Sequence, residues 1–288
     1  MAIIGERKLY PTGALMTTKW RFLQTEPTTG AYNMALDEAC LLSAAEKRSL
    51  PTLRLFSWDP PTLSLGYAQK CSEVNIPQLH SNGWGLVRRP TGGRAILHTD
   101  ELTYSVTAPM DDPVVAGSLL ECYQRISRAL LVALKLLEID ARGDATYNLT
   151  HGQSKADPVC FEVPSNFEIT VSGKKLIGSA QARKHKGVLQ HGSLPLTGDL
   201  SRITQVLYYP SEDKRQEGIA RLLSHAGTVE SLTGKMVTVK MATQAFIEAF
   251  SSELDLEIIP SEPTMEELAN TRELMEKKYQ SDDWTLRF

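Results

Sequence analysis

Six apolar residues, Leu119, Tyr123, Ile126, Leu130, Leu134 and Leu137, fall on one stripe of the segment GSLLECYQRISRALLVALKLLEID. That spacing predicts an amphipathic helix of about five or six turns, and it stands between two blocks that read as strands. Before it, LRLFSW and TLSLGYA are short β-rich runs around the proline turn DPP, and WGLVRR and ELTYSVTA supply two more. After it, FEITVS, KKLIGSAQAR and GVLQHGSLPL predict a three-stranded meander with turns at Ser172–Gly173 and Lys184–Gly187. Residues 33–46, NMALDEACLLSAAE, predict an earlier helix with Asn33 as N-cap and Asp37 and Glu38 close behind it. KRQEGIARLLSH, TQAFIEAFSSEL and TMEELANTRELMEKKY give the last third a helical character. Strands and helices are mixed along the chain rather than segregated.

The remaining long stretch, Ala141 to Ser165, is irregular and rich in Gly, Asp, Asn and Pro. Loops beyond roughly 15 residues inside a compact domain are usually functional or disordered. This one contains DPVCFEVPS, which sets Cys160 between two prolines. Cys40 and Cys122 sit among helical apolar residues, where a free cysteine behaves as a small hydrophobe, and Cys71 follows a strand with no apparent partner. Cys160 has no periodic core face, and catalytic residues are disproportionately carried on loops. An unperturbed thiol, with a pKa of about 8.5, is only a few per cent ionised at neutral pH and needs positive charge beside it to become a nucleophile. The nearest supply is GKKLIGSAQARKHKG, with Lys174, Lys175, Arg183, Lys184 and Lys186. Lys175 would begin a strand and share a face with Ile177, Ser179, Gln181 and Arg183. Two readings stay open: a solvated charged hairpin, or a cation set against the thiol.

Composition narrows the class. A chain of 288 residues, 42% apolar and 23% charged, can bury a large core. It has no run of about 18 apolar residues, and its start, MAIIGERKLYPTG, is interrupted by charges and a proline, so neither a membrane span nor a secretory signal is expected and a cytoplasmic setting is. NLT at Asn148 then reads as a chance glycosylation match. The four cysteines are scattered without a C-x-x-C pair, which suggests no zinc site and no disulfide framework. A formal net charge of −3 argues against a general nucleic-acid binder. VRRPTGGRAILH departs from both the P-loop and the dinucleotide fingerprints. Its Arg88, Arg89, Gly92, Gly93 and Arg94 read either as a tight turn with solvent-facing arginines or as a cradle for an anion. His98 and His191 are candidates for hydrogen-bonded structure, for substrate contact or for a general base.

Taken together and in this order, NMALDEA, RRPTGGRAILH, ELTYSV, PVCFEVPSNFEI, GKKLIGSAQAR and LQHGSLPL resemble the lipoate/octanoate and biotin protein ligase superfamily. They are most similar to bacterial octanoyltransferases of the LipM type, which draw on octanoyl-acyl carrier protein. The resemblance runs from about Thr18 to KKYQSDDW. It implies an α/β (α+β) fold, a mixed sheet covered by helices, in a single domain over residues 17–288 with a helical segment from about 261, preceded by an extension over 1–16. It implies that Cys160 accepts the acyl group and that Lys175 lowers the thiol pKa. The implied reaction passes octanoyl from acyl carrier protein to a lysine of a lipoyl-domain protein such as H protein, with no cofactor and no metal. Arg88, Arg89, Gly92, Gly93, Arg94 and His98 are then expected at the substrate, with Gly178, Ser179 and Ala180 near the oxyanion and the tail. The arginines and the cationic hairpin are expected to offer a docking surface to acidic partners. The ligase branch usually carries a third glycine where this chain has Arg94, a departure that weakens an ATP-using ligase reading; that ligase and a protein-to-protein amidotransferase are the alternatives.

Overall fold

The computed structural model describes residues 17–144 and 168–288. Cys160, Asn148 and residues 1–16 lie outside the described residues. The chain opens with β1 (Thr18–Gln24) and α1 (Gly30–Ala45). α1 begins three residues before the expected start, because Thr29 is the cap: its hydroxyl accepts from the Tyr32 N–H at 3.4 Å. Asn33 is instead a buried residue inside the helix, donating to the carbonyls of Thr28 (3.3 Å) and Ser57 (3.1 Å).

β2 (Thr52–Phe56) and β3 (Thr62–Leu65) flank the proline turn, and there the chain changes sheet. α2 (Ile76–Ser81), β4 (Gly85–Arg88) and β5 (Ile96–His98) follow; β3 lies between β4 and β5 in a three-stranded sheet. β6 (Glu101–Pro109) returns to the main sheet and leads into α3 (Leu119–Leu136). A capping box fixes the start of α3: the Ser118 hydroxyl takes the Glu121 N–H, and Glu121 takes the Ser118 N–H. Ile126, Leu130 and Leu134 are buried as the stripe predicts, but Leu119 is exposed and Cys122 replaces it at the core.

β7 (Arg142–Asp144), β8 (Glu168–Val171), β9 (Lys174–Lys184) and β10 (Gly187–Pro195) are antiparallel neighbours, so the first residues of the expected irregular stretch form a strand. Both turns of the meander fall where the sequence put them. Ser172 and Gly173 have φ of 51° and 78°, and His185 and Lys186 have φ of 53° and 61°, the left-handed pairs that two-residue hairpins require. The C-terminal third supplies α4 (Glu212–His225), α5 (Val229–Thr233), α6 (Val239–Glu253), β11 (Leu256–Pro260), α7 (Met265–Leu274), a π-helical turn (Met275–Tyr279) and α8 (Asp282–Thr285).

The main sheet has eight strands in the order β11-β1-β2-β6-β10-β9-β8-β7, parallel at its β11-β1-β2 end and antiparallel beyond. Alternation along β6 assigns its two faces. Leu102, Tyr104, Val106 and Ala108 join α3 and α6 in the principal core. Glu101, Thr103, Ser105 and Thr107 point the other way, and they too are buried. The face that periodicity alone would give to water is covered by α1 and the small sheet, and it carries the site.

Candidate active site

A narrow, mostly apolar pocket lies between the two sheets. β9 contributes Gly178, Ser179 and Ala180, and β10 contributes His191, Gly192 and Ser193. Met34 of α1 and Trp58 line it as well, with Arg89, Ile96 and His98 from the small-sheet side. Gly192 is required by close approach: a Cβ there would stand 2.6 Å from the Gly178 carbonyl oxygen and 2.6 Å from the Tyr104 ring. The Ser179 and Tyr104 hydroxyls are 2.7 Å apart, and Gln190 donates to Tyr104 at 3.1 Å. Burial pushes the Tyr104 phenol up to about 12, so it stays protonated.

His98 and His191 are each fixed at both ring nitrogens. His98 lies 2.7 Å from Glu101 through Nδ1 and 2.7 Å from the Ser64 hydroxyl through Nε2, and its ring stacks on Trp58 at 4.0 Å. Burial works to raise the Glu101 carboxyl, but His98 together with the Ser193 and Thr103 hydroxyls makes the net shift downward. The Glu101 carboxylate takes the Nδ1 N–H, Nε2 meets the Ser64 hydroxyl, and Ser64 accepts from Arg89 Nη1 at 2.7 Å. Thr103 donates to Glu101 at 2.6 Å and accepts from the Trp58 indole at 2.8 Å. Arg89, His98 and Trp58 are thus oriented by one continuous chain.

On the opposite wall, His191 Nε2 is 2.6 Å from the Thr91 hydroxyl, and Nδ1 is 3.5 Å from Asp37. Burial lowers the His191 pKa, Asp37 only partly restores it, and the ring is neutral. Asp37 is itself fully buried; desolvation opposes its charge, but the Arg54 guanidinium at 2.7 Å and His191 hold its pKa low. Ser105 donates to Asp37 at 2.7 Å. With both nitrogens of each ring engaged, the two histidines orient the pocket wall rather than offering a ready base.

Arg89, His98, Gly178, Ser179 and Ala180, all singled out in the sequence, meet at this pocket. Gly92 and Gly93 are exposed on the loop beside it, where the carbonyls of Gly92 and Arg94 turn inward to accept from Arg89 Nη2 at 3.1 and 2.9 Å. Arg94 pairs with Glu73 at 3.6 Å. Arg88 does not reach the pocket. It is 0% exposed and donates to the carbonyls of Gly66, Gln69 and Thr285 at 2.8, 2.6 and 3.0 Å, so it clasps the C-terminal segment.

The expected docking surface is therefore corrected: Arg88 and Arg89 are inside, and the hairpin cations have internal duties. Lys174 bonds the Leu223 carbonyl, Lys184 bonds Glu38 at 2.7 Å, and Arg183 holds the carbonyls of Val115, Gly117 and Ser118 ahead of α3. Lys186 alone of the five is exposed. Lys175 is 3% exposed and donates to Glu168 at 2.9 Å. Its intended partner, Cys160, lies outside the described residues. β8 pairs with β9 only as far as Ile177, so from Gly178 onward that edge of β9 has no strand beside it among the described residues.

Sequence reading missed Met34, Asp37, Arg54, Trp58, Thr91 and Glu101. The hint was present only in ELTYSV and NMALDEA, where acidic and hydroxyl residues interrupt runs that are otherwise core-forming. Among the described residues, no group of three or more His, Cys, Asp or Glu side chains is placed to hold a metal ion.

Residues 29–251 match the lipoyl protein ligase A/B catalytic domain model. An octanoyltransferase LipM from Brevibacillus brevis is 39% identical over 93% of this chain and 99% of its own length. One from Bacillus subtilis is 38% identical over 93% and 98%. Among solved structures, the bipartite lipoate protein ligase of Thermoplasma acidophilum, described with its E2 lipoyl domain, superposes with a TM-score of 0.77 at 26% identity, covering 93% of this chain and 96% of that one. A lipoate-protein ligase A bound with ATP gives 0.74 at 26% identity, over 93% and 99%.

Proposed function

Since the chain belongs to the lipoyl protein ligase A/B catalytic-domain family, as an octanoyltransferase, we propose that it passes octanoyl from acyl carrier protein to a lipoyl-domain lysine through a thioester on Cys160. The Cys160 thiolate attacks the donor's thioester carbonyl; the bond to the carrier sulfur breaks, and the carrier thiolate leaves and takes up a proton. The neutral amine of the acceptor lysine then attacks the new thioester, loses its proton and expels the Cys160 thiolate as the amide forms. A thioester becomes an amide, so the transfer runs downhill without ATP.

The observation that carries this reading is the pocket beside β9. Gly178, Ser179 and Ala180 line it together with Met34, Trp58 and Ile96, and the acyl chain would run against those apolar side chains. Burying about six methylenes at roughly 0.8 kcal/mol each gives about 5 kcal/mol, enough to hold and measure the tail. Lys175, anchored by Glu168 a few residues upstream on the same hairpin, supplies the charge that keeps the thiol ionised. Backbone N–H groups on the edge of β9 that β8 does not cover serve the oxyanion. The described residues contain no helix long and apolar enough to cross a membrane, and this reading sets the enzyme in the cytoplasm.

The test is mass spectrometry after incubation with octanoyl-acyl carrier protein. Cys160 should gain one octanoyl group, the adduct should be labile to hydroxylamine, and Cys160→Ala should not form it. A Cys160→Ala protein that still modifies a lipoyl domain, and does so only with ATP and free octanoate, would replace this route by a ligase reaction.

A further inference from the structure

Two guanidinium groups meet at the junction of β3, β4 and the C-terminal segment, with no side-chain carboxylate paired to either among the described residues. Arg88 Nη1 and Arg287 Nη2 donate to the same acceptor, the Tyr67 carbonyl, at 3.3 and 3.2 Å. Both cations lie over the Phe288 ring, 5.4 and 4.9 Å from its centroid, and Arg287 also covers Tyr67 at 4.1 Å and Trp284 at 3.8 Å. Neither enters an ion pair among the described residues, and each keeps one buried nitrogen without a hydrogen-bond partner, Arg88 Nη2 and Arg287 Nε. A buried, unsatisfied N–H on a cation costs more than a neutral one. The proximity is felt: burial first, and then the Arg287 charge, lower the Arg88 pKa. Every protein-side acceptor here is a carbonyl, and the aromatic rings neutralise nothing.

We propose that this junction is an oxyanion site, and that its ligand is the phosphodiester at the root of the thiol-bearing arm of the donor's carrier. Two planar forks offering N–H groups from different directions suit a tetrahedral phosphoryl group, which presents several oxygens at once. The Tyr67 and Phe288 side chains that these cations lie over are themselves 44% and 49% exposed, and the two unpaired nitrogens are buried beside them. The site is one loop away from the acyl pocket. The Tyr67 N–H donates to the Thr91 carbonyl at 2.8 Å, and the Thr91 hydroxyl is bonded to His191 on the pocket wall. A donor held at its phosphate on one side of residues 90–94 would present its acyl end on the other. The inference rests on the carrier-dependent reading above and adds the means of recognising the arm.

The decisive comparison uses octanoyl-4′-phosphopantetheine and octanoyl-pantetheine, which differ only in the phosphate. Wild type should acylate Cys160 with a kcat/KM at least tenfold higher for the phosphorylated donor, and in Arg287→Gln that ratio should fall towards one. Arg287 is partly exposed near the chain end, so the variant is expected to fold where Arg88→Gln is not. In parallel, inorganic phosphate should raise the wild-type Tm saturably above a chloride control of equal ionic strength and lose that effect in Arg287→Gln. Equal rates for the two donors, a ratio unmoved in the variant, or no phosphate effect on Tm would overturn the site. If neither donor acylates the enzyme, the thioester route fails instead, and the phosphate titration still decides the site.

Discussion

Replacing Asp37 with asparagine removes one charge from a buried pair and strands the other. Arg54 is 1% exposed, and its counter-ion is 0% exposed at 2.7 Å. The remaining partners of Arg54 are the Asn33 carbonyl at 3.2 Å, the Asn33 amide oxygen and the Thr25 hydroxyl at 3.1 Å, all neutral. Breaking a buried pair by deleting one member costs roughly 3–5 kcal/mol. The neutral acceptors that stay behind place Asp37→Asn near the lower end, about 3 kcal/mol. For a chain of this size that is a fall in Tm of roughly 6–12 °C. Urea unfolding of Asp37→Asn, Arg54→Met and the double variant measures it. The double variant should be less destabilised than the two singles combined, with a coupling of about 2 kcal/mol, because it removes both charges together. A single Asp37→Asn change costing under about 1 kcal/mol, or simple additivity, would refute the claim that this pair anchors α1 to the sheet. Because Asp37 also orients His191, the variant should lose octanoyl capture at temperatures where it is still folded.

Glu38 predicts a pH dependence. Burial raises its pKa, but Lys184 and Lys278, at 2.7 and 2.6 Å, together bring it from 4.5 to about 2. The folded pKa lies below the unfolded one, so the stabilisation of about 3 kcal/mol is complete above pH 4.5 and lost as pH falls towards 2; acid unfolding of Glu38→Gln should be correspondingly shallower between those values. Gly192→Ala should cost roughly 1–3 kcal/mol through the clash with Gly178 and Tyr104 and slow octanoyl adduct formation by about tenfold, with a butanoyl donor affected less. Met34→Ala, which empties a residue 1% exposed at the pocket, should shift donor preference to chains longer than eight carbons; an unchanged chain-length profile would remove Met34 from the tail site.

Local signals carried much of the architecture. The helical stripe from Leu119 to Leu137 and the two meander turns each depend on residues a few positions apart, and each was legible for that reason, whereas the Ser118–Glu121 capping box was found only in the structure. The N-terminal cap of α1 was misplaced because Asn33 is as good a cap chemically as Thr29; what separates them is that the carbonyls of Thr28 and Ser57 claim the Asn33 side chain. Cys122, not Leu119, enters the core, where its sulfur accepts from Gln181 of β9 at 3.0 Å. Of the candidate site residues, the glycine and small-residue run in β9 and both histidines came from the sequence. Asp37, Glu101 and Arg54 did not, since an acidic or basic residue at an alternating position has the same pattern on a solvated face.

The sequence by itself determined the body of α1 and α3, the strand runs around the DPP turn and the meander with its two turns, because period and turn chemistry act over neighbouring residues. It also singled out Cys160 and Lys175 as the pair to test. Only the tertiary structure decided that the polar face of β6 is buried, that Arg88 serves the C-terminal segment while Arg89 serves the pocket, and that Lys174, Lys175, Arg183 and Lys184 are held by partners within the protein. Those outcomes depend on which surfaces meet across more than a hundred residues of chain, where burial and paired charge, rather than local spacing, set the free energy.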